Sequence, residues 1–365
     1  MASLSAGLRV GIVDSNESIK DQLSRLAGTA EQLRWLASHR LVGPIDILEA
    51  RDLVPKDLAI IARKWVQTQP PASDEQIREE RRVLQGFVEA SVNTVVLKGC
   101  LLAHSVYPTP EQRWRADLDI LVDPSAIAEG RNVLKSLGYR SMWDVAGGTP
   151  IPQESWLLGE GPNRKVVDLH WKVRSHPILR DRLSFEEQWR ESIELPLLGD
   201  GVRGQCQAHA LLNAVMHWFD RLYGEPRPIG WLLDMDLLWR AMSESDRSGL
   251  QILVVERELS GLTAAALGLA KRLFGTPVRA DYLAELSASG RIEKPSSLIE
   301  LDGRRWRSVW FALTVEPGLG PKLSRLRASL FPSKAHMKQR YGVQGGFGLM
   351  LAYFERVWAR FRAKS

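Results

Sequence analysis

The chain has 365 residues, 44% of them apolar, a formal charge of +6 and two cysteines, Cys100 and Cys206. That length exceeds what one core usually organises, so more than one unit is expected, and two distant cysteines exclude a disulfide framework or a cysteine metal cluster. With no basic leader before an apolar run, and no stretch of about eighteen uncharged apolar residues, the sequence predicts no secretory signal, no membrane span and a reducing, cytoplasmic setting.

In chain order, residues 17–40 and 44–68 carry apolar side chains at helical spacing (Leu23, Leu26, Ala27; Ile47, Val54, Leu58, Ile61), broken at Gly43, Pro44 and Pro55. This predicts an N-terminal helical segment over residues 1–74. A helix follows from about Glu75 to Ser91, burying Val83, Leu84, Phe87 and Val88. Thr94 to Leu97 is a short β-branched run closed by Lys98 and Gly99, with an apolar helix from Cys100 to Tyr107 behind it: a strand, glycine turn, helix unit. Next comes Arg113 to Val122, RWRADLDILV, then a helix from Pro124 to Gly138 and a strand from Tyr139 to Val145. Ser155 to Leu158 and Lys165 to Trp171 read as a hairpin. These elements make an α/β core over residues 75–175.

Beyond Arg174 the pattern is helical: Phe185–Ile193, Gln207–Tyr223, Gly230–Met242, Leu250–Phe274, then segments near 280–290, 305–315, 320–330 and 346–362. The expected fold class is α+β, a small mixed β-sheet with helices, flanked by the N-terminal segment and a C-terminal helical domain over 176–302. Residues 303–365 form a basic helical segment. They hold thirteen Lys or Arg against Glu316 and Glu355, a local +11 against +6 for the whole chain, so residues 1–302 are net −5. Such a tail suits an anionic partner; a solvated helical face is the alternative.

The chemistry concentrates in three acids. On a strand, Asp117, Asp119 and Leu121 share one face while Leu118, Ile120 and Val122 share the other, so two carboxylates roughly 6–7 Å apart stand on an otherwise apolar strand. Asp168 sits on a later strand with His170 on its own face. Several anionic oxygens converging in this way are what a divalent cation requires, and hard oxygen ligands favour Mg²⁺ or Mn²⁺. Asp234 lies among Leu232, Leu233, Met235 and Leu237 in an apolar helix; it is either paired, with His217 or an arginine, or functional.

The order LKG (Leu97 to Gly99), R-x-D-L-D-I-L-V (Arg115 to Val122) and V-D-L-H-W (Val167 to Trp171) resembles the polymerase-beta-like nucleotidyltransferase superfamily, and more narrowly its uncharacterised bacterial "nucleotidyltransferase family protein" group. The resemblance covers about 80–290, with a tail motif at Phe331 to Ser333 and Arg340 to Gly342. It implies that Asp117 and Asp119 hold two metals and that Asp168 holds the catalytic one and helps deprotonate an acceptor hydroxyl. Where the superfamily has Gly-Ser, this chain has Lys98, Gly99 and Cys100. Gly99 and the next helix then form the phosphate site, Lys98 points either to the phosphates or away from them, Arg113 and Arg115 neutralise a triphosphate, and His170 either orients a phosphate or acceptor or is a hydrogen-bonded structural histidine beside Trp171. For Arg115, pairing with one of the acids is the alternative.

The implied activity is metal-dependent transfer of a nucleoside monophosphate from a nucleoside triphosphate, ATP first, to a hydroxyl or phosphate of an acceptor such as a modified peptide, glycan or small molecule. Two other readings stand beside it: attachment of AMP to a partner protein, and a catalytically silent module that docks an anionic partner through its basic tail.

Overall fold

The computed structural model describes residues 17–26, 28–68, 74–142, 152–161, 164–220, 227–301, 305–323 and 346–362. The tail motif at 331–333 and 340–342 and most of the basic residues beyond 323 lie outside the described residues.

Four helices open the chain: α1 (Ile19–Ser24), α2 (Thr29–Ser38), α3 (Ile45–Ala50) and α4 (Lys56–Thr68). Helix α5 (Asp74–Glu89) starts with two acids in its first turn, which suit the positive end of the helix dipole, and buries Val83, Leu84 and Phe87. Then follow β1 (Thr94–Val96), α6 (Lys98–Ser105), β2 (Leu118–Val122), α7 (Ile127–Ser136), β3 (Arg140–Ser141), β4 (Gln153–Leu158) and β5 (Lys165–His170). The expected strand and helix are present, but the turn between them is not made by glycine: the helix begins at Lys98, which takes the left-handed φ, and Gly99 lies inside it. After α8 (Phe185–Arg190), β6 (Ile193–Glu194) and β7 (Arg203–Gly204) complete a seven-stranded mixed sheet in the order β3-β4-β5-β2-β1-β7-β6. Two residues each, β6 and β7 are too short for periodicity to reveal.

Strands β2 and β5 run parallel at the centre, in a register that sets Asp119 beside Asp168. Asp117 immediately precedes β2 and does not belong to it. Strand β2 is buried along its whole length. Against one side, α5 and α7 close on Leu169: a methyl added at Gly130 of α7 would lie 3.4 Å from Phe87 and 3.5 Å from Leu169.

The helical layer holds α9 (Gln207–Phe219), α10 (Gly230–Ala241), α11 (Glu244–Glu256), α12 (Ser260–Phe274) and α13 (Ala280–Ser289), with α14 (Ser297–Glu300), α15 (Arg305–Val315) and α16 (Gly346–Arg362) after it. The single helix expected over Leu250–Phe274 is two. Glu258 adopts a left-handed φ of 51° between α11 and α12, a break that apolar spacing continuing on both sides conceals. No helix among the described residues is long and apolar enough to cross a membrane. One cluster of buried apolar residues runs from Ile19 to Ile299, joining the N-terminal helices, the sheet and the helical layer.

One junction of that cluster bears on the site. The Gly230 N–H at the start of α10 donates to the His39 carbonyl at 2.9 Å, just past α2. A methyl at Gly230 would stand 2.9 Å from that oxygen and 3.0 Å from the Arg40 carbonyl, so only glycine lets the two chains meet so closely. Gly230→Ala is therefore expected to lower stability by about 1–3 kcal/mol. Gly268→Ala, where the added methyl meets nothing within 4 Å, should raise it by about 0.5–1 kcal/mol. Chemical denaturation of the two variants checks the contrast.

Candidate active site

Strand β1 delivers the first functional side chain. The Leu97 N–H donates to the Asp119 carbonyl at 3.0 Å, so the chain leaves the sheet opposite Asp119. Lys98 turns it into α6 with a left-handed φ of 49°. That conformation costs a non-glycine residue about 1 kcal/mol, a strain typical of functional positions. Its Nζ lies 2.5 Å from Asp119 Oδ1. The same oxygen accepts from His170 Nε2 at 2.8 Å. Burial pushes the Asp119 carboxyl up, but the Lys98 charge and the His170 hydrogen bond overcome it and hold the group well below the usual carboxylate range. Burial and the Lys98 ammonium push the His170 imidazole down, so the ring is neutral. Because a carboxylate only accepts, Nε2 carries the proton.

Asp168 stands in register beside Asp119 and accepts from the Ser155 hydroxyl at 2.6 Å. Asp119, Asp168 and His170 each offer a ligand atom, all within 4.8 Å of one another. His170 is engaged with Asp119 through Nε2, while its Nδ1 is buried with no hydrogen-bond partner among the described residues; the two carboxylates are the oxygen donors at hand for a divalent cation, a set that suits Mg²⁺ or Mn²⁺. Asp117 stands outside that group but lines the same cavity, of about 320 Å³. Burial, reinforced by the Asp119 and Asp168 charges, pushes its carboxyl up to about 6.

Both expected phosphate-binding arginines line the cavity, yet each is already engaged. Arg113 forms a fork with Asp234, Nε to Oδ1 and Nη2 to Oδ2 at 2.8 Å each, and Nη1 reaches the Trp114 carbonyl. The Tyr107 hydroxyl adds a bond of 2.7 Å to the same acid. Asp234 is thus a paired buried acid, with Arg113 rather than His217 as partner. Arg115 forks onto Glu80 at 2.6 and 2.7 Å and donates to the Pro110 and Arg113 carbonyls. Its acid partner is therefore neither Asp117 nor Asp119. Gly99 serves this packing too, since a methyl there would stand 3.1 Å from Arg115 Cβ.

The sequence reading missed Arg174. It follows β5 by four residues, is 4% exposed and lines the cavity. Its Nη1 donates to His217 Nδ1 at 2.6 Å, while Nε and Nη2, both buried, have no hydrogen-bond partner among the described residues. Burial lowers its basicity only relative to an ordinary arginine, and the group stays charged. An arginine among Val173, Ile178 and Leu179, directly after the acid strand, was the available signal. Arg40, contributed by the turn after α2, stands 5.8 Å from the Trp231 ring at the cavity wall.

A lysine turn facing an ionised acid, a second acid in register on a parallel strand and a helical wall over the cavity reproduce the motif order of the sequence. The chain belongs to the uncharacterised nucleotidyltransferase family. The match covers residues 30–275, from within α2 to the residue that ends α12. The matched stretch includes the turn that supplies Arg40 as well as α9 and α10, which wall the cavity. No curated protein matches the chain.

The raised Asp117 carboxyl makes a pH prediction with a definite sign. A folded value of about 6 against about 3.8 unfolded means that ionising Asp117 costs the native state more as pH rises from about 4 to 6. Asp117→Asn is expected to stabilise the metal-free protein by about 1–3 kcal/mol at pH 7 and by little at pH 4. Urea unfolding at both pH values checks this; an equal gain at both would contradict it.

Proposed function

We propose that this chain transfers a nucleoside monophosphate from a nucleoside triphosphate, ATP taken first, to a hydroxyl-bearing acceptor and releases pyrophosphate. The observation that carries the reading is the pairing of Asp119 with Asp168 on parallel neighbouring strands, at a cavity that also holds a buried guanidinium with two unspent donors. In this reading Asp119 and Asp168 hold the divalent cation. A Mg²⁺ or Mn²⁺ ion bound there would neutralise charge on the phosphate oxygens as the phosphoryl bonds exchange.

The protein's own groups divide the remaining work. Lys98 and His170 keep Asp119 ionised and oriented, so the carboxylate needs no proton loss when the substrate arrives. Arg174 donates Nε–H and Nη2–H to a phosphate of the nucleotide, a role its planar fork suits better than a lysine would. Asp117, at the wall of the same cavity, accepts the proton of the acceptor hydroxyl. The acceptor oxygen bonds to the α-phosphorus, and the bond from that phosphorus to the bridging oxygen breaks to release pyrophosphate. Most of the acceleration in such chemistry comes from positioning and charge neutralisation.

The test is pyrophosphate release from each of the four nucleoside triphosphates with Mg²⁺ or Mn²⁺. Asp119→Asn and Asp168→Asn are expected to lose at least about 100-fold in turnover. Arg174→Lys, which keeps the charge and loses the fork, should chiefly raise KM for the triphosphate. Undiminished metal-dependent turnover in Asp119→Asn would rule the assignment out.

A further inference from the structure

Away from the cavity, a second group of ligating side chains gathers where α8 meets the start of α9. Cys206 is the N-cap residue of α9 and His209 follows three positions later. Glu187 lies within α8, and Glu191 is its C-cap residue, one turn on. Glu191, Cys206 and His209 each offer a ligand atom within 4.8 Å of the others. His209 is fully buried, and neither of its ring nitrogens has a hydrogen-bond partner among the described residues. Yet its Nε2 lies 3.4 Å from Glu187 Oε1 and 3.5 Å from Glu191 Oε2. These separations are long for N–H···O bonds. The separation from Glu191 matches the edge of a tetrahedron with metal–ligand bonds of about 2.1 Å, which is roughly 3.4 Å.

We propose that Cys206, His209 and Glu191 form a zinc site separate from the catalytic cavity. One thiolate, one imidazole and one carboxylate select a borderline cation such as Zn²⁺ over the hard Mg²⁺. Two anionic ligands balance the dication, and Glu187 beside them is held by Arg257, which donates Nη2–H to its Oε1 at 2.8 Å. The exposed Glu191 and half-buried Cys206 leave an entry path from solvent. The third mixed group, Glu80, Cys100 and His104, is different because Arg115 already occupies both oxygens of Glu80.

The site fastens α8 to α9 immediately after β7, which pairs with the strand that delivers Lys98. A zinc ion there ties the sheet to the helices walling the cavity.

Co²⁺ titration of the metal-stripped full chain tests this, because the catalytic acids include no thiol. The expected result is a thiolate-to-cobalt charge-transfer band with intense visible bands, saturating at one equivalent and displaced by Zn²⁺. Cys206→Ser should abolish the thiolate band, and Glu191→Gln, a change at an exposed residue, should weaken Co²⁺ binding at least tenfold. Cys100→Ser and the Asp119→Asn, Asp168→Asn double variant should retain the band. Circular dichroism confirms that each variant is folded. Absence of the band in the folded wild type, its persistence in Cys206→Ser or its loss in Cys100→Ser would each overturn the proposal.

Discussion

A carboxylate taken out of water at the centre of a sheet has to be compensated, and at Asp119 both compensating groups bind one oxygen: the Lys98 ammonium and the His170 N–H. Alone, burial would protonate this acid; with its two donors it stays ionised. Much of the local structure follows from that requirement. Lys98 adopts its left-handed turn between β1 and α6 opposite Asp119, and β5 lies in the register that brings Asp168 alongside and His170 within reach. A one-residue slip of β5 would move both Asp168 and His170 to the opposite face.

The cavity beyond this acid is rich in charge, and most of that charge is already balanced. Arg113 with Asp234 and Arg115 with Glu80 are buried forks, in which losing one partner would strand a charge at a cost of about 3–5 kcal/mol. They set the shape of the cavity mouth by tying the segment before β2 to α10 and α5. Arg174 differs because two of its donors have no partner among the described residues. In a cavity of this kind, recognition of an anion falls to a cation whose hydrogen-bonding capacity is not already used.

The carboxylate half of this arrangement was legible in the sequence because it is local. Alternation over Leu118–Val122 and Val167–His170 predicts which residues share a face, and the acids stand out against apolar neighbours. The central strands and the helical layer follow from the same local signals. What stayed hidden is set by long-range pairing. Arg113 meets an acid 121 positions away and Arg115 one 35 positions away, so neither arginine could be separated from a phosphate ligand by spacing alone. Arg40 reaches the cavity only because Gly230 lets α10 touch the turn after α2. Strands β6 and β7 are held by their neighbours rather than by any pattern of their own, and the break at Glu258 rests on one backbone conformation.

The central claim is that Asp119 and Asp168 together hold the cation at which a triphosphate reacts, with Arg174 on its phosphates. The measurement that tests it most directly is a crystal structure with a non-hydrolysable nucleoside triphosphate and Mn²⁺, the ion located by its anomalous scattering. The account predicts Mn²⁺ bound by oxygens of both Asp119 and Asp168, and a phosphate oxygen within hydrogen-bonding distance of Arg174 Nε or Nη2. A nucleotide seated outside this cavity, or an ion that touches neither acid, would contradict it.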